Sequence, residues 1–503
     1  MTRSSNDLQI SSLVLALVMV LGIGARAAYV YRPFDYRIIN NWRQSDYLQI
    51  TRNFHREGMN IFYPRVDWRG DTPGYVEMEL PVLPWLGAWL YHFCGPHVQL
   101  LRALAATFDV GSLILFCFLA RDLLPASGAL FAVAAFAVNP MLIPLATSLQ
   151  PEPVMQFFSL ASMLLLWRWS ERGAFSTLLA ASVVLALAIL GKLPAICLGF
   201  VFAYAVLRKL RLAALSDFRV YVAALVAVGP PLAWYLWGYR FWAFYGNSLG
   251  LSSEYHFLGV DLLVPPRFLV GILRTETFYI FTPLGWVLAL SALRLPWSKV
   301  ERLFAWYGTV CVFYVVAGRA TGERWAEYYH VLSIAPACLL MGAGVAAWWR
   351  ADGEAARARW QQWTGALLAA GTLVACVCVA VYTHDRGTEE YLSMYTCALE
   401  FAQRVPPSER IVVRGGISSD GRGHAIAHNE PMMFAWMDRK GFNYANEDLR
   451  IETLDAIAAR GGRYWVVGRE ELKQDDLERA ANARYRRIAA CRSLYYLYDL
   501  RPN

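Results

Sequence analysis

Apolar and polar positions along this chain come in long blocks rather than in short alternation. Leu13–Ala25, Leu100–Ala120, Gly128–Ala146 and Tyr221–Gly238 are nearly free of charge, and about 20 such residues in a helix cross a bilayer. The blocks predict about eleven transmembrane helices, at 10–29, 98–120, 127–147, 151–169, 175–191, 193–207, 219–238, 273–293, 303–318, 330–349 and 364–382. Gly191-Lys192-Leu193-Pro194 interrupts the apolar stretch 175–207, so hydropathy alone fits one tilted helix or two short ones. Loop charge decides between them, because positive residues favour the cytoplasmic side. With a break at Lys192, the basic loops Arg121-Asp122, Arg168–Arg172, Arg208–Arg219, Arg294–Arg302 and Arg350–Arg359 all fall on the side of the N-terminus. Loop Tyr31–His97, segment Tyr239–Leu273 and the tail then lie on the outer face. Gly22-Ile23-Gly24-Ala25 would suit a signal-peptide cleavage, but the topology works with a retained first span.

The tail, 384–503, changes character. Ile411-Val412-Val413, Tyr464-Trp465-Val466-Val467 and Ser493–Leu500 read as strands, and Asp448–Arg460 and Glu470–Ala481 as helices. This alternation predicts a small soluble α/β domain. Arg414-Gly415-Gly416 lacks the spacing of a nucleotide-binding loop and reads as turn glycines. The expected architecture is a polytopic α-helical membrane domain over 1–383, with loop 31–97 on the outer face, followed by an outer-face α/β domain over 384–503.

Composition agrees, with 57% of the 503 residues apolar and 14% aromatic. The formal charge of +8 resides in short loops, which suits topology and not nucleic-acid binding. Only five basic residues are Lys, which suggests a GC-rich bacterial source. The nine Cys include no CxxC pair and no cluster with His at metal spacing. Cys397 and Cys491 either pair, if the tail faces an oxidising compartment, or remain two buried thiols; the second reading is preferred.

Loop Tyr31–His97 is the densest source of chemistry, with seven acidic and seven basic residues. Asn41 and Gln44 resemble a capping box that starts a helix, with Gly58 as its stop. On a helical wheel Tyr47, Ile50 and Phe54 form an apolar stripe, and Trp42, Asp46, Gln49 and Asn53 a neighbouring face. Such a helix would lie in the membrane interface with Asp46 turned to an aqueous cleft. Asp46 is then a general base or metal ligand, or a solvated carboxylate paired with Arg43 one turn earlier. Glu79, before Leu80-Pro81 and Pro84, either joins Asp46 or starts the apolar segment Val82–Phe93 as a dipole-favoured acid. Glu77, Asp67 and Asp71 read as loop-solvated.

Ionisable residues near spans are costly and tend to be functional. Glu152 in Gln150-Pro151-Glu152-Pro153 and Lys192 stand at expected outer span ends. Lys192 suits an anionic phosphate or simply snorkels. Gly322-Glu323-Arg324-Trp325-Ala326-Glu327-Tyr328-Tyr329-His330 leads into the tenth span and suits a phosphate or a sugar face, or else an aromatic belt. His256, His384, His424 and His428 have no metal spacing.

These motifs, in this order, resemble the GT-C superfamily of polyprenyl-phosphate-sugar glycosyltransferases, closest to bacterial relatives of the protein O-mannosyltransferases and the lipid A aminoarabinose transferase. The resemblance is carried by Asn41-Trp42-Arg43-Gln44-Ser45-Asp46, Arg52-Asn53-Phe54, Asn60-Ile61-Phe62-Tyr63-Pro64, Asp67-Trp68-Arg69-Gly70, Glu79-Leu80-Pro81, Arg102, Gln150-Pro151-Glu152-Pro153, Gly191-Lys192 and Glu327-Tyr328-Tyr329-His330. It covers about 10–350 and implies the GT-C fold, a catalytic aspartate at Asp46, an acid before a proline at Glu79, and basic residues on the carrier phosphate. Two departures stand out. The Asp-Glu dipeptide of the mannosyltransferase branch is absent, and Glu152 replaces the commoner Asp.

The expected activity is transfer of a sugar from a polyprenyl-phosphate donor to a lipid, glycan or protein acceptor, by a single displacement with inversion on the outer face of a bacterial inner membrane. Asp46 and Glu79 are the expected catalytic pair. Trp42, Arg43, Gln44, Glu152, Lys192, Arg324, Glu327, Tyr328, Tyr329 and His330 are the expected substrate-binding residues. A divalent metal is possible, but nothing in the sequence requires one. The competing reading is a transporter or flippase of lipid-linked saccharides, against which stands the absence of a repeat between chain halves. A non-catalytic assembly subunit would leave Asp46, Glu79 and Lys192 without a joint role.

Overall fold

The computed structural model describes residues 5–38, 40–251, 265–317, 319–322, 326–349, 355–383, 387–419, 423, 425–426, 428–473 and 477–502. Helices occupy every expected apolar segment: Ser5–Val30, Val98–Leu123, Ala126–Ala137 with Leu142–Leu145, Glu152–Arg172, Phe175–Gly191, Leu198–Leu210, Phe218–Tyr245, Pro266–Thr275 with Pro283–Ser291, Trp297–Ala317, Val331–Trp349 and Ala355–Tyr382. Among the described residues, seven helices are long and apolar enough to cross a membrane, or eight if the bent pair Pro266–Phe281 and Pro283–Arg294 is one span. Ala126–Ala137 and Phe175–Gly191 are apolar but shorter. The expected span 273–293 is not straight, because its two halves meet at 82°. A π-helical turn, Glu276–Phe281, runs into Thr282 at φ 62°, and Pro283 has no N–H to continue the ladder.

The chain divides into two compact units. The first comprises Met1–Arg32, Arg102–Ala233 and His256–His384. Its best-buried helix is Val331–Trp349. A Cβ on Gly128 would meet the Gly342 carbonyl at 2.6 Å, and one on Gly342 would meet the Gly128 carbonyl at 2.5 Å. Both positions therefore need glycine for helices Ala126–Ala137 and Val331–Trp349 to touch, a small-residue contact typical of membrane bundles. Arg26 and Asp109, inside two apolar blocks, form a fully buried ion pair, with Arg26 also donating to the carbonyls of Gly22 (3.0 Å) and Ala137 (2.9 Å). Paired in this way, neither charge is left bare among apolar side chains.

The second unit comprises Pro33–Leu101, Trp234–Tyr255 and Asp385–Asn503, so it groups the first loop with the tail, a grouping that a division at 383/384 does not anticipate. Helix Asn41–Glu57 ends at Gly58 (φ 125°) as expected. The capping box does not form. Asn40, at φ 53°, is the cap residue, no side chain caps it, and the Asn41 amide instead donates to the Tyr36 carbonyl at 3.2 Å. Nor does the helix lie half-exposed. Gln44–Thr51, Asn53 and Phe54 are all buried, because helices Val82–Cys94 and Pro431–Met437 pack against it.

The tail folds around a five-stranded sheet, in which β1 is Arg410–Arg414, β2 Gly441–Tyr444, β3 Gly462–Gly468, β4 Tyr485–Cys491 and β5 Tyr495–Pro502. The order is β2-β1-β3-β5-β4, with β1 parallel to β2 and β3, and β5 antiparallel to β3 and β4. Trp465, Tyr498, Leu454, Leu472 and Tyr485 fill its core. Over the expected helix Glu470–Ala481 the described residues form helices Arg469–Leu472 and Leu477–Arg484, and 474–476 lie outside the described residues. The preference for two free thiols is also overturned: Cys397, on helix Glu389–Ala402, is disulfide-bonded to Cys491 at the end of β4. Loop 60–75 joins this assembly where Gly70 N donates to Gly441 O (2.7 Å) and Gly441 N to Asp67 O (2.9 Å).

Candidate active site

In the second unit the chemistry gathers on helix Asn41–Glu57. Asp46 is 0% exposed. Its Oδ1 accepts from the Trp68 indole at 2.9 Å, while Oδ2 has no hydrogen-bond partner among the described residues. Burial pushes its carboxyl up to about 7; the Arg43 guanidinium and the Trp68 bond hold it down, and the charges of Glu79 and Asp67 add to the rise. Asp46 is therefore not a solvated carboxylate. The Arg43 guanidinium donates to the Leu249 carbonyl at 2.7 Å and acts on Asp46 through its charge.

Glu79 is buried and accepts the Tyr47 hydroxyl at 2.6 Å. The apolar stripe thus carries a polar tip that ties helix Asn41–Glu57 to the turn before Pro81. Glu77 accepts from Ser248 Oγ at 2.7 Å, and the Trp234 indole donates to Met78 O at 2.9 Å, so the Glu77-Met78-Glu79 segment is anchored on both sides. Gln44 is buried, whereas Trp42 is 38% exposed.

The polar face of the same helix is covered by the tail. Gln49 Nε2 donates to Pro431 O (2.7 Å), Arg52 to Ala435 O (2.9 Å), and Arg56 forms a two-bond pair with Asp438 (2.9 and 2.8 Å). Asp67 is buried, not solvated: its N–H donates to Gln49 Oε1 (3.0 Å) and its carboxylate accepts from Asn53 (2.8 Å). Burial raises it to about 6. Glu77 is likewise buried, and Asp71, with Arg460 at 3.0 Å, is paired at the surface. Tyr47 and Trp68, which the sequence offers only as part of an apolar stripe and of a motif, are both buried here, as is Glu430, for which the sequence gives no signal.

In the first unit a second constellation forms from residues far apart in sequence. Glu152 opens helix Glu152–Arg172 between two prolines, and Lys192 follows helix Phe175–Gly191 in extended backbone. The two are ion-paired. The ammonium also lies over the rings of Tyr328 (4.6 Å) and Tyr329 (4.2 Å), a cation–π arrangement. His330 faces elsewhere. Its ring contacts Glu276 Oε1 at 2.6 Å and Thr321 O at 2.9 Å, and Glu276 also accepts from Ser333 (2.8 Å) and Tyr307 (2.9 Å). With both ring nitrogens engaged, His330 anchors the 3-10 turn Glu327–His330 that carries the two tyrosines. Glu327 is half-buried on that turn, and Arg324 lies outside the described residues. Glu276, the centre of this network, had no signal in the sequence beyond being an acid inside an apolar block. Among the described residues no group of three or more His, Cys, Asp or Glu side chains could hold a metal ion.

A sequence profile of the family described as dolichyl-phosphate-mannose-protein mannosyltransferase matches residues 72–237. No curated protein sequence matches the chain significantly. Among solved structures, the chain is similar to ArnT from Cupriavidus metallidurans in the apo state, with TM-score 0.61, 13% identity and 99% of each chain covered. The same protein bound to undecaprenyl phosphate gives TM-score 0.57 and 14% identity, again over 99% of each chain. The archaeal oligosaccharyltransferase AglB from Archaeoglobus fulgidus, in complex with an inhibitory peptide and a dolichol-phosphate, gives TM-score 0.55 and 12% identity over 98% of this chain and 74% of that one.

Proposed function

We propose that this chain is a GT-C glycosyltransferase that transfers a sugar from a polyprenyl phosphate to a lipid, glycan or protein acceptor on the outer face of the membrane, with Asp46 as the base; the profile match over residues 72–237 and the fold similarity to ArnT support this reading. The observation that carries this reading is the state of Asp46: buried, fixed by Trp68 through one oxygen, the other oxygen without a hydrogen-bond partner among the described residues, and poised near neutral pH. A general base works best when its pKa lies near the working pH, and contributes about 10²–10⁴-fold.

In the proposed reaction the acceptor oxygen attacks the anomeric carbon while the carbon–oxygen bond to the phosphate breaks. The electron pair of that bond leaves with the polyprenyl phosphate, and the acceptor proton passes to Asp46. Attack from the face opposite the leaving phosphate inverts the anomeric centre. Glu79, held by Tyr47, keeps negative charge near the anomeric carbon as positive charge develops there. The Lys192 ammonium, kept in place by Glu152, Tyr328 and Tyr329, is the cation proposed to hold the carrier phosphate. The ligands bound in the similar structures, undecaprenyl phosphate and dolichol-phosphate, support a lipid-phosphate donor. An outer-face tail, 384–503, is supported by the Cys397–Cys491 disulfide and by the basic loops on the opposite side.

The test is Asp46→Asn in reconstituted membranes with labelled polyprenyl-phosphate sugar and a cell-envelope extract. Wild-type protein yields a new covalent product and the variant loses at least about 100-fold of the rate. Near-normal transfer by the variant removes Asp46 from the role of base. Carrier movement with no covalent product from the wild type would support transport in place of transfer.

A further inference from the structure

Glu430 stands at the start of helix Pro431–Met437, 8% exposed, with Oε1 accepting the Met432 N–H at 2.9 Å. That helix runs along Asn41–Glu57 in the same direction: Pro431 meets Gln49, Ala435 meets Arg52, and Asp438 meets Arg56. Glu430 directly precedes Pro431, and Asp46 lies about one turn before Gln49 on the facing helix, so the parallel register carries Glu430 to the Asp46 end of Asn41–Glu57, where the charge of Asp46 acts on it.

The placement is built in by the end of β1. A Cβ on Gly415 would fall 2.4 Å from Glu430 Cβ, and one on Gly416, at φ 74°, would fall 2.9 Å from His428 Cα. The two turn glycines therefore make room for segment 428–430 to press against the strand. Asn443 Nδ2 fixes both sides of that contact, donating to Gly415 O (3.0 Å) and His428 O (3.1 Å). A surface cap needs none of this, because helix caps are ordinarily satisfied with solvent access.

We propose that Glu430 is an acceptor-orienting residue of the active centre, supplied by the tail, whose carboxyl group hydrogen-bonds an acceptor oxygen beside the hydroxyl that Asp46 deprotonates. The inference rests on Asp46 as base and adds a second carboxyl of opposite protonation state. Burial pushes Glu430 up to about 8, against the N–H groups of Met432 and Met433 that hold it down, and Asp46 and Glu471 raise it further. The other titratable groups around it are Tyr391 and Glu390 on helix Glu389–Ala402, Tyr495 on β5, His428, and Arg414, which pairs with Glu471 at 3.8 Å. Between about pH 7 and about pH 8 Asp46 is ionised while Glu430 keeps its proton, so environment separates the roles of two like groups.

The experiment assays full-length protein in liposomes with radiolabelled undecaprenyl-phosphate sugars and an envelope extract across the pH range, comparing wild type, Glu430→Gln, Glu430→Ala and Asp46→Asn. Glutamine retains a neutral donor and an oxygen for the Met432 N–H, so Glu430→Gln is expected to abolish the fall in rate on the alkaline side at a several-fold lower plateau. Glu430→Ala is expected to raise the acceptor KM about 10–100-fold with the donor KM unchanged. An alkaline fall that persists in Glu430→Gln, or donor and acceptor KM rising together in Glu430→Ala, overturns the proposal while leaving Asp46 as base. Transfer by Asp46→Asn overturns the base assignment, and the inference with it.

Discussion

Trp68 donates its indole N–H to Asp46 Oδ1 across 2.9 Å, and this bond joins the Asp67-Trp68-Arg69-Gly70 stretch to the helix that carries the proposed base. A hydrogen bond to the ionised form of a carboxylate lowers its pKa. Trp68→Phe keeps most of the ring volume and removes only the donor. The acid-side inflection of the rate profile is therefore expected to move above about 7, with the rate at high pH reduced less than the rate at neutral pH. An inflection that stays in place, or moves down, contradicts the role assigned to Trp68.

Asp46 is expected to couple activity and stability in opposite senses. Its folded pKa, about 7, lies above the ordinary aspartate value of 3.8, so the folded state holds its proton longer than the unfolded chain does. Stability therefore falls as pH rises through the window from about 4 to about 7, and the penalty is fully present above it. The rate has the reverse dependence, rising about tenfold per pH unit below the inflection because the base must be ionised. Asp46→Asn removes the buried charge, so at alkaline pH the inactive variant should unfold at a higher temperature than wild type. Thermal unfolding of both proteins on either side of neutrality checks this; a variant less stable than wild type at alkaline pH refutes the account of the buried charge.

The Lys192–Glu152 pair leads to a graded expectation. Lys192→Ala removes the ammonium proposed to meet the carrier phosphate, and the donor KM should rise by about 10-fold or more with the acceptor KM little changed. Glu152→Gln should be milder, because the rings of Tyr328 and Tyr329 still flank the ammonium. Donor titrations at saturating acceptor distinguish the two variants. If Lys192→Ala leaves the donor KM intact, the phosphate is bound elsewhere.

The apolar blocks and their order were legible because each helix of a membrane bundle carries its own signature of length and hydropathy, and loop charge resolved the break at Lys192 into two helices. Asp46 and Glu79 were legible as acids in a loop between spans. Their surroundings were not. The Gln49–Pro431 bond joins residues 382 apart in sequence, and no local pattern announces that a distant helix will cover the polar face of Asn41–Glu57. The wheel therefore identified the faces of that helix but assigned water to the one that protein covers. The same limit hid Glu276, whose partners Tyr307, His330 and Ser333 come from two other helices and the turn between them. The bend at Thr282 was hidden because hydropathy is blind to a positive φ.

The Cys397–Cys491 disulfide offers a test that needs no substrate. It closes a separation of 94 residues, clamping helix Glu389–Ala402 to the end of β4. Chain entropy gives about 4–5 kcal/mol for a loop of this length, and removal of a native bridge typically costs about 2–5 kcal/mol. Both sulfurs belong to buried residues, so reductant should act slowly on the folded protein and quickly once the tail opens. Cys397→Ser and Cys491→Ser should each lower the unfolding temperature of the tail, and the double variant should add little to either single one, because both break the same bond. The bridge also reports compartment. Thiol-alkylation mass spectrometry on protein isolated from native membranes should find both cysteines blocked in wild type, as an oxidising outer face requires. Two freely alkylated thiols in unfolded, unreduced protein would place the tail in a reducing compartment and reverse the topology on which outer-face transfer depends.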